Sequence, residues 1–199
     1  MNEHIKLFIE NNIEMIEQDK WDLFFDHAAE MLNTTVISDL VSVCQEADVL
    51  SWSKLTMIPD GAFLGTPLSQ FTIPEHIRCI RHKAFAYTKL REVHIPPSVI
   101  EIQSYAFTGC YSLEKVVIDN AEYINSGAFC GCYNLKYVEL PANLRSLEFD
   151  AFRDCTSDLE IYFHGTKDQW YELTYKILSD YFTKANIKTV KCLDGIIKE

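Results

Sequence analysis

The chain carries six histidines and seven cysteines, the residue types most often found holding a metal or acting as a nucleophile. His4, His27, His76, His82, His94 and His164 show no His-x-x-x-His pair, and no Cys-x-x-Cys occurs. Cys130-Gly131-Cys132 is the nearest approach to metal-ligand spacing. Its two thiols flank a glycine, so the pair spans a turn, and Cys132 repeats a packing position of the chain. A cysteine nucleophile needs an exposed thiol of lowered pKa, and Cys130, beside Phe129, shows no sign of one. No glycine-rich phosphate loop and no Gly-x-Ser-x-Gly elbow is present. The acids are scattered, without a carboxylate pair set against an apolar pocket. The residues therefore point away from an enzyme, and no cofactor or metal site is expected.

A binding surface is the better candidate. Leu-x-x-Val-x-Ile runs recur, and where alternate residues are buried the intervening ones must face solvent. One outward column reads Gln70, Glu92, Lys115, Tyr137, Glu160; the next reads Thr72, His94, Val117, Glu139, Tyr162. A solvated sheet favours Thr, Lys and Glu. Tyr137, Tyr162, Val117 and His94 make this face more aromatic and apolar than solvation requires, and tyrosine is enriched at interaction hot spots. The candidate protein-binding residues are Thr72, Glu92, His94, Lys115, Val117, Tyr137, Glu139, Glu160 and Tyr162. Ordinary cross-strand packing accounts for any one of them alone.

What positions those columns is a repeat. Ile58…Ala62-Phe63, Ile80…Ala84-Phe85, Ile102…Ala106-Phe107, Ile124…Ala128-Phe129 and Leu147…Ala151-Phe152 place Ala-Phe pairs at intervals of 22, 22, 22 and 23 residues. Such a period marks a solenoid, in which each repeat is one turn of a coil. One turn cannot bury its own Phe, Ile and Leu, but stacked turns cover one another. The phenylalanines should form one column, and five parallel strands about 4.8 Å apart give a sheet roughly 19 Å wide. Leu68-x-x-Phe71-x-Ile73 and Leu90-x-x-Val93-x-Ile95 are the expected strands of the first two turns. Pro74, Pro96 and Pro141 end strands at one phase, because proline cannot donate to a ladder.

The pattern Ile-x-x-x-Ala-Phe-x-x-Cys-x-x-Leu-x-x-Val-x-Ile-Pro resembles the BspA-type leucine-rich repeat family. Five phased copies carry it across residues 55–165, and the tail from Ile161 to Gly195 is similar to those that close such arrays. The resemblance implies a curved right-handed solenoid used for protein binding, often as a surface adhesin, without catalysis. It points to a gut-type bacterium, or a virus infecting one, as the source. Two departures stand out: Asp119-Asn120-Ala121 lacks the usual proline, and the last turn is one residue longer.

The ends read as caps. Ile5, Phe8, Ile9, Ile13 and Ile16 share one face of a helix over 3–17. A second helix follows Asp19 with Trp21, Phe24, Phe25, Ala28, Met31 and Leu32. A third, 35–46, buries Val36, Ile37, Leu40, Val41 and Cys44. At the exit, Thr166-x-x-Gln169 is a capping box. Trp170, Leu173, Ile177, Leu178 and Tyr181 then share a helical face, and Ile187–Cys192 reads as a strand. The expected architecture is thus an α+β solenoid: a helical N-terminal cap over 1–50, a five-turn coil over 51–165 and a helix-strand cap over 166–199.

Hydrophobic content of 48% supports a real core. The net charge is −11, and residues 1–50 hold eleven acids against Lys6 and Lys20. That balance argues against nucleic acid and anionic membranes as partners. No 18-residue apolar run and no signal-peptide pattern occurs, so the expected compartment is the cytoplasm or a virion. Cys110, Cys132 and Cys155 share one repeat position and read as buried thiols, with disulfides as the alternative. The function these features favour is a non-catalytic scaffold that binds a protein partner, in a homo- or hetero-oligomer, through the sheet face. The alternative is a structural component that contacts its neighbours through the acidic helical cap or the C-terminal cap.

Overall fold

The computed structural model describes residues 3–12, 14–15, 20, 23–25, 27–28, 40, 55–148, 150–174 and 187–198. Its centre is the column of phenylalanines. Phe63, Phe85, Phe107, Phe129 and Phe152 stack with ring centroids 5.1, 5.0, 5.2 and 5.4 Å apart and planes within 16° of parallel. Phe63 is half-buried at the end of the column, and the other four are fully buried. The alanine carbonyl of each Ala-Phe pair after the first accepts from the phenylalanine N–H of the turn before it: Phe85 N–H donates to Ala106 at 2.8 Å and Phe107 N–H to Ala128 at 2.7 Å.

Two parallel sheets flank this column. The smaller has two-residue strands: β1 (Met57–Ile58), β2 (Cys79–Ile80), β4 (Glu101–Ile102), β6 (Tyr123–Ile124) and β8 (Ser146–Leu147), adjacent in that order. The larger contains β3 (Glu92–Ile95), β5 (Lys115–Ile118), β7 (Tyr137–Leu140) and β9 (Leu159–Phe163). Beyond β9 lie β10 (Ile187–Cys192), parallel to it, and β11 (Gly195–Lys198), antiparallel to β10. The expected final strand is therefore present, and it turns back through Leu193-Asp194.

The first turn departs from expectation. Residues 68–73 keep the alternation, with Ile73 buried and Thr72 exposed, but form no strand. Lys89 N–H donates to the Leu68 carbonyl at 2.9 Å, and the ladder does not continue. Phe71 stands where later turns place Val93, Val116 and Val138. Its ring lies 4.9 Å from Phe63 and 5.2 Å from Phe85, at the end of the aromatic column.

The two irregular corners are held by side chains. Where proline is missing after β5, Asn120 Nδ2 donates to the Pro97 carbonyl at 3.0 Å. Asn143 Nδ2 repeats the contact one turn later, on Asn120 at 3.1 Å. Near the longer last turn, the buried Asp150 accepts from Ser126 Oγ at 2.9 Å and from Gly127 N–H at 3.1 Å. The thiol column is equally regular. Cys110, Cys132 and Cys155 donate to the carbonyls of Phe85, Phe107 and Phe129 at 3.1, 3.2 and 3.3 Å. All three are free thiols, and burial raises the pKa of Cys132 and Cys155.

At the C-terminal end, α2 (Lys167–Thr174) opens with the expected capping box. Gln169 N–H donates to Thr166 Oγ1 at 3.3 Å, and Thr166 N–H to Gln169 Oε1 at 2.8 Å. Trp170 is fully buried against Phe163, at 5.4 Å. At the other end, α1 (Glu3–Asn11) forms the first part of the expected helix; a turn at Asn12 separates it from Glu14 and Met15, which are again helical, and residues 13, 16 and 17 lie outside the described residues. The Asn12 side chain donates to the Phe8 carbonyl at 2.8 Å and meets His27 Nδ1 at 2.8 Å, and such side-chain bonds compete with helix continuation. Phe24, Phe25, Ala28 and Leu40 are buried as expected. Trp21, Met31, Leu32 and the rest of the third helix lie outside the described residues, as do Ile177, Leu178 and Tyr181.

Candidate functional site

Strand register builds the face. Glu92, Lys115, Tyr137 and Glu160 are cross-strand partners along one row; His94, Val117, Glu139 and Tyr162 follow along the next. Their neighbours Val93, Val116, Val138 and Ile161 point into the core. The alternation turns eight of the nine candidate residues to one surface. Thr72 is the exception, because its segment does not join the sheet. It lies beside Arg91 and Glu92 at the rim of a hollow of about 420 Å³.

The centre of the face is a tyrosine pair. The rings of Tyr137 and Tyr162 lie 4.6 Å apart at 33°, and both are half-buried. Tyr137 hydroxyl donates to Glu139 Oε1, which pushes its pKa up to about 12, so it stays protonated. Tyr162 hydroxyl donates to Glu160 Oε2 at 3.1 Å. Lys191, from β10, donates to Glu160 Oε2 at 2.9 Å and to Tyr162 Oη at 2.6 Å, with its ammonium 4.4 Å from the Tyr162 ring centre. These bonds hold Glu160 below the usual carboxylate range and Lys191 above the usual lysine range. Lys115 caps the other ring at 5.2 Å. At the flanks, His94 meets Asp119 at 2.8 Å and His164 meets Glu139 at 3.6 Å.

Lys191 was not among the candidates, since it lies outside the repeat. Its signal was present nonetheless: Val190 and Cys192 read as a strand, and alternation turns Lys191 outward. A second aromatic strip also escaped the sequence reading. Tyr87, Tyr111 and Tyr133 are each about half exposed, and the last two stack at 5.6 Å within 3° of parallel.

Among the described residues no group of three or more His, Cys, Asp or Glu could hold a metal ion, and no helix is long and apolar enough to cross a membrane. What stands is a stack of 22-residue rungs with an ordered outer face, the build of a leucine-rich repeat solenoid. The chain belongs to the BspA type leucine rich repeat family, six copies of which match residues 56–178. Repeats of this family generally serve as protein-interaction or surface scaffolds.

Two solved proteins are similar. A leucine-rich repeat protein from Bacteroides ovatus ATCC 8483 is 26% identical, with a TM-score of 0.41, over 56% of this chain and 32% of that one. A leucine rich cell surface protein from Faecalibacterium prausnitzii A2-165 is 16% identical, with a TM-score of 0.29, over 60% of each chain. This chain thus spans about a third and about three fifths of their lengths. No curated protein matches.

Proposed function

We propose that this protein is a non-catalytic interaction scaffold whose partner protein docks on the outward face of the larger sheet. One observation carries the reading: Tyr137 and Tyr162 are held in contact by carboxylates and lysines on four successive strands. Ordered aromatic side chains lose little conformational freedom on binding, which is the quality that makes hot spots. The reading retains the helical segment 1–50 and the tail 166–199 as caps on a coil spanning 51–165.

The test is the double variant Tyr137→Ala, Tyr162→Ala. Both rings sit on the sheet surface and outside the phenylalanine column, so the melting temperature should fall by only a few degrees. Partner capture, followed by crosslinking and mass spectrometry from source lysate, should weaken roughly thirtyfold, as losing about 2 kcal/mol at a hot spot implies. Undiminished capture of every partner would remove this face.

A further inference from the structure

The larger sheet has an open edge within the repeat. On the β5 side, Arg91 and Ile95 carbonyls accept from Glu114 at 2.8 Å and Asp119 at 3.1 Å. By strand alternation the main-chain groups of Arg91, Val93 and Ile95 serve that side, and those of Glu92 and His94 point back toward the first turn. Among the described residues, the backbone N–H and C=O groups of Glu92 and His94 take no main-chain partner there. Later turns do continue the ladder at this phase: Lys136 N–H reaches the Glu114 carbonyl at 3.0 Å, and Glu160 N–H reaches Lys136 at 2.9 Å. In the first turn the Phe71 ring packs at the end of the phenylalanine column.

The gap has room. The hollow of about 420 Å³ runs between Ser69–Thr72 and Arg91–Glu92. A second, of about 380 Å³, shares Glu92 and carries it onto the face past His94 and Val117.

We propose that this edge receives an extended peptide segment of a partner protein as an added strand. The chemistry of the edge selects that occupant. A row of donors and acceptors repeating every two residues, roughly 6.6 Å, is matched by another extended main chain. Alternate side chains of the guest would meet Phe71 on one side and the exposed Glu92 and His94 on the other, so an apolar-polar alternation is favoured. This deepens the proposed function and rests on it: the partner surface is the larger sheet, and what the partner presents there is a strand.

The experiment uses the full chain and a displayed library of random peptides about ten residues long, enough for one strand. In the free protein, the amides of Glu92 and His94 should exchange with solvent at least about 100-fold faster than those of Val93 and Ile95. A selected peptide should slow His94 exchange at least about tenfold. His94→Pro removes the edge donor without touching the β5 ladder, and proline is tolerated on edges, so the fold should persist while the peptide is lost. His94→Ala keeps the amide and should keep the peptide. N-methylating alternate amides of the peptide should abolish binding to the unaltered protein, a readout that stands even if His94→Pro fails to fold.

The proposal is overturned if no peptide is enriched, or if bound peptides protect other amides. It is also overturned if His94 is already protected in the free chain, by Ser69–Thr72 or by a second copy. Partner capture that requires Tyr137 and Tyr162 yet survives His94→Pro removes the edge and leaves the face; the reverse removes the face as the contact and leaves the edge.

Discussion

Replacing Gly109 by alanine probes the stacking directly. Gly65, Tyr87, Gly109, Gly131 and Asp154 occupy one phase of the coil, two residues after each phenylalanine, and all have φ between +57° and +72°. At Gly131 an added Cβ would meet only the backbone of Gly109, at 3.8 and 3.9 Å. Alanine there bears the left-handed strain, about 1–2 kcal/mol, offset by about 0.4–1 kcal/mol from a less free unfolded chain. The net cost is about 1 kcal/mol. At Gly109 the same Cβ would fall 2.4 Å from both Cδ1 and Cε1 of Tyr87. The ring must move, an overpacking cost of roughly 1–3 kcal/mol, so Gly109→Ala should lose about 2–4 kcal/mol. Urea denaturation of both variants measures the difference. Combining Gly109→Ala with Tyr87→Ala should recover the extra loss, a coupling of about 1–3 kcal/mol. Equal costs at Gly109 and Gly131, or a double variant that recovers nothing, would refute the view that each ring sits in space its neighbour's missing Cβ leaves.

Other perturbations follow from the same geometry. Phe107→Ala and Phe129→Ala, each with a ring above and below, should cost roughly 3–5 kcal/mol in chemical denaturation, and Phe63→Ala, half-buried at the column's end, clearly less. Cys110, Cys132 and Cys155 should resist a thiol-specific disulfide reagent in the native state and react on unfolding, since burial raises the Cys132 and Cys155 pKa and shields all three. The lowered pKa of Glu160 fixes a sign: its pairing with Lys191 stabilises the fold above the ordinary glutamate pKa and is lost as pH falls through the lower folded value. Glu160→Gln should therefore reduce stability slightly at pH 7, only weakly for so exposed a pair, and the difference should shrink as the pH falls below the ordinary glutamate pKa.

The phenylalanine column was legible because a period of 22 residues leaves an aromatic ring no other partner than its own copy. The eight sheet-face residues followed from alternation alone. Thr72 did not. The run from Leu68 to Ile73 has the letters of a strand, yet pairing depends on whether a ring at position 71 stays in line with valines or turns to the column, and spacing does not encode that. Tyr87 and Asp154 were likewise hidden, since only glycine announces a left-handed residue in sequence. Stacked turns impose the conformation on both. Lys191 was missed for a simpler reason: the repeat ends before it, so the residue that ties together Glu160 and Tyr162 belongs to no motif. Where the proline was lacking, Asn120 kept the corner by a bond to the turn beside it.

The thiol-to-carbonyl contacts have a bearing on length. Each interior rung offers the same acceptor to the turn after it and the same donor to the turn before it, so a duplicated unit spliced between Phe107 and Phe129 would find both neighbours ready-made. Molecules of this design can be extended as a ladder is, by about 4.8 Å for each rung added, without redrawing either end. The reach of the recognition surface is then a quantity that gene duplication can set.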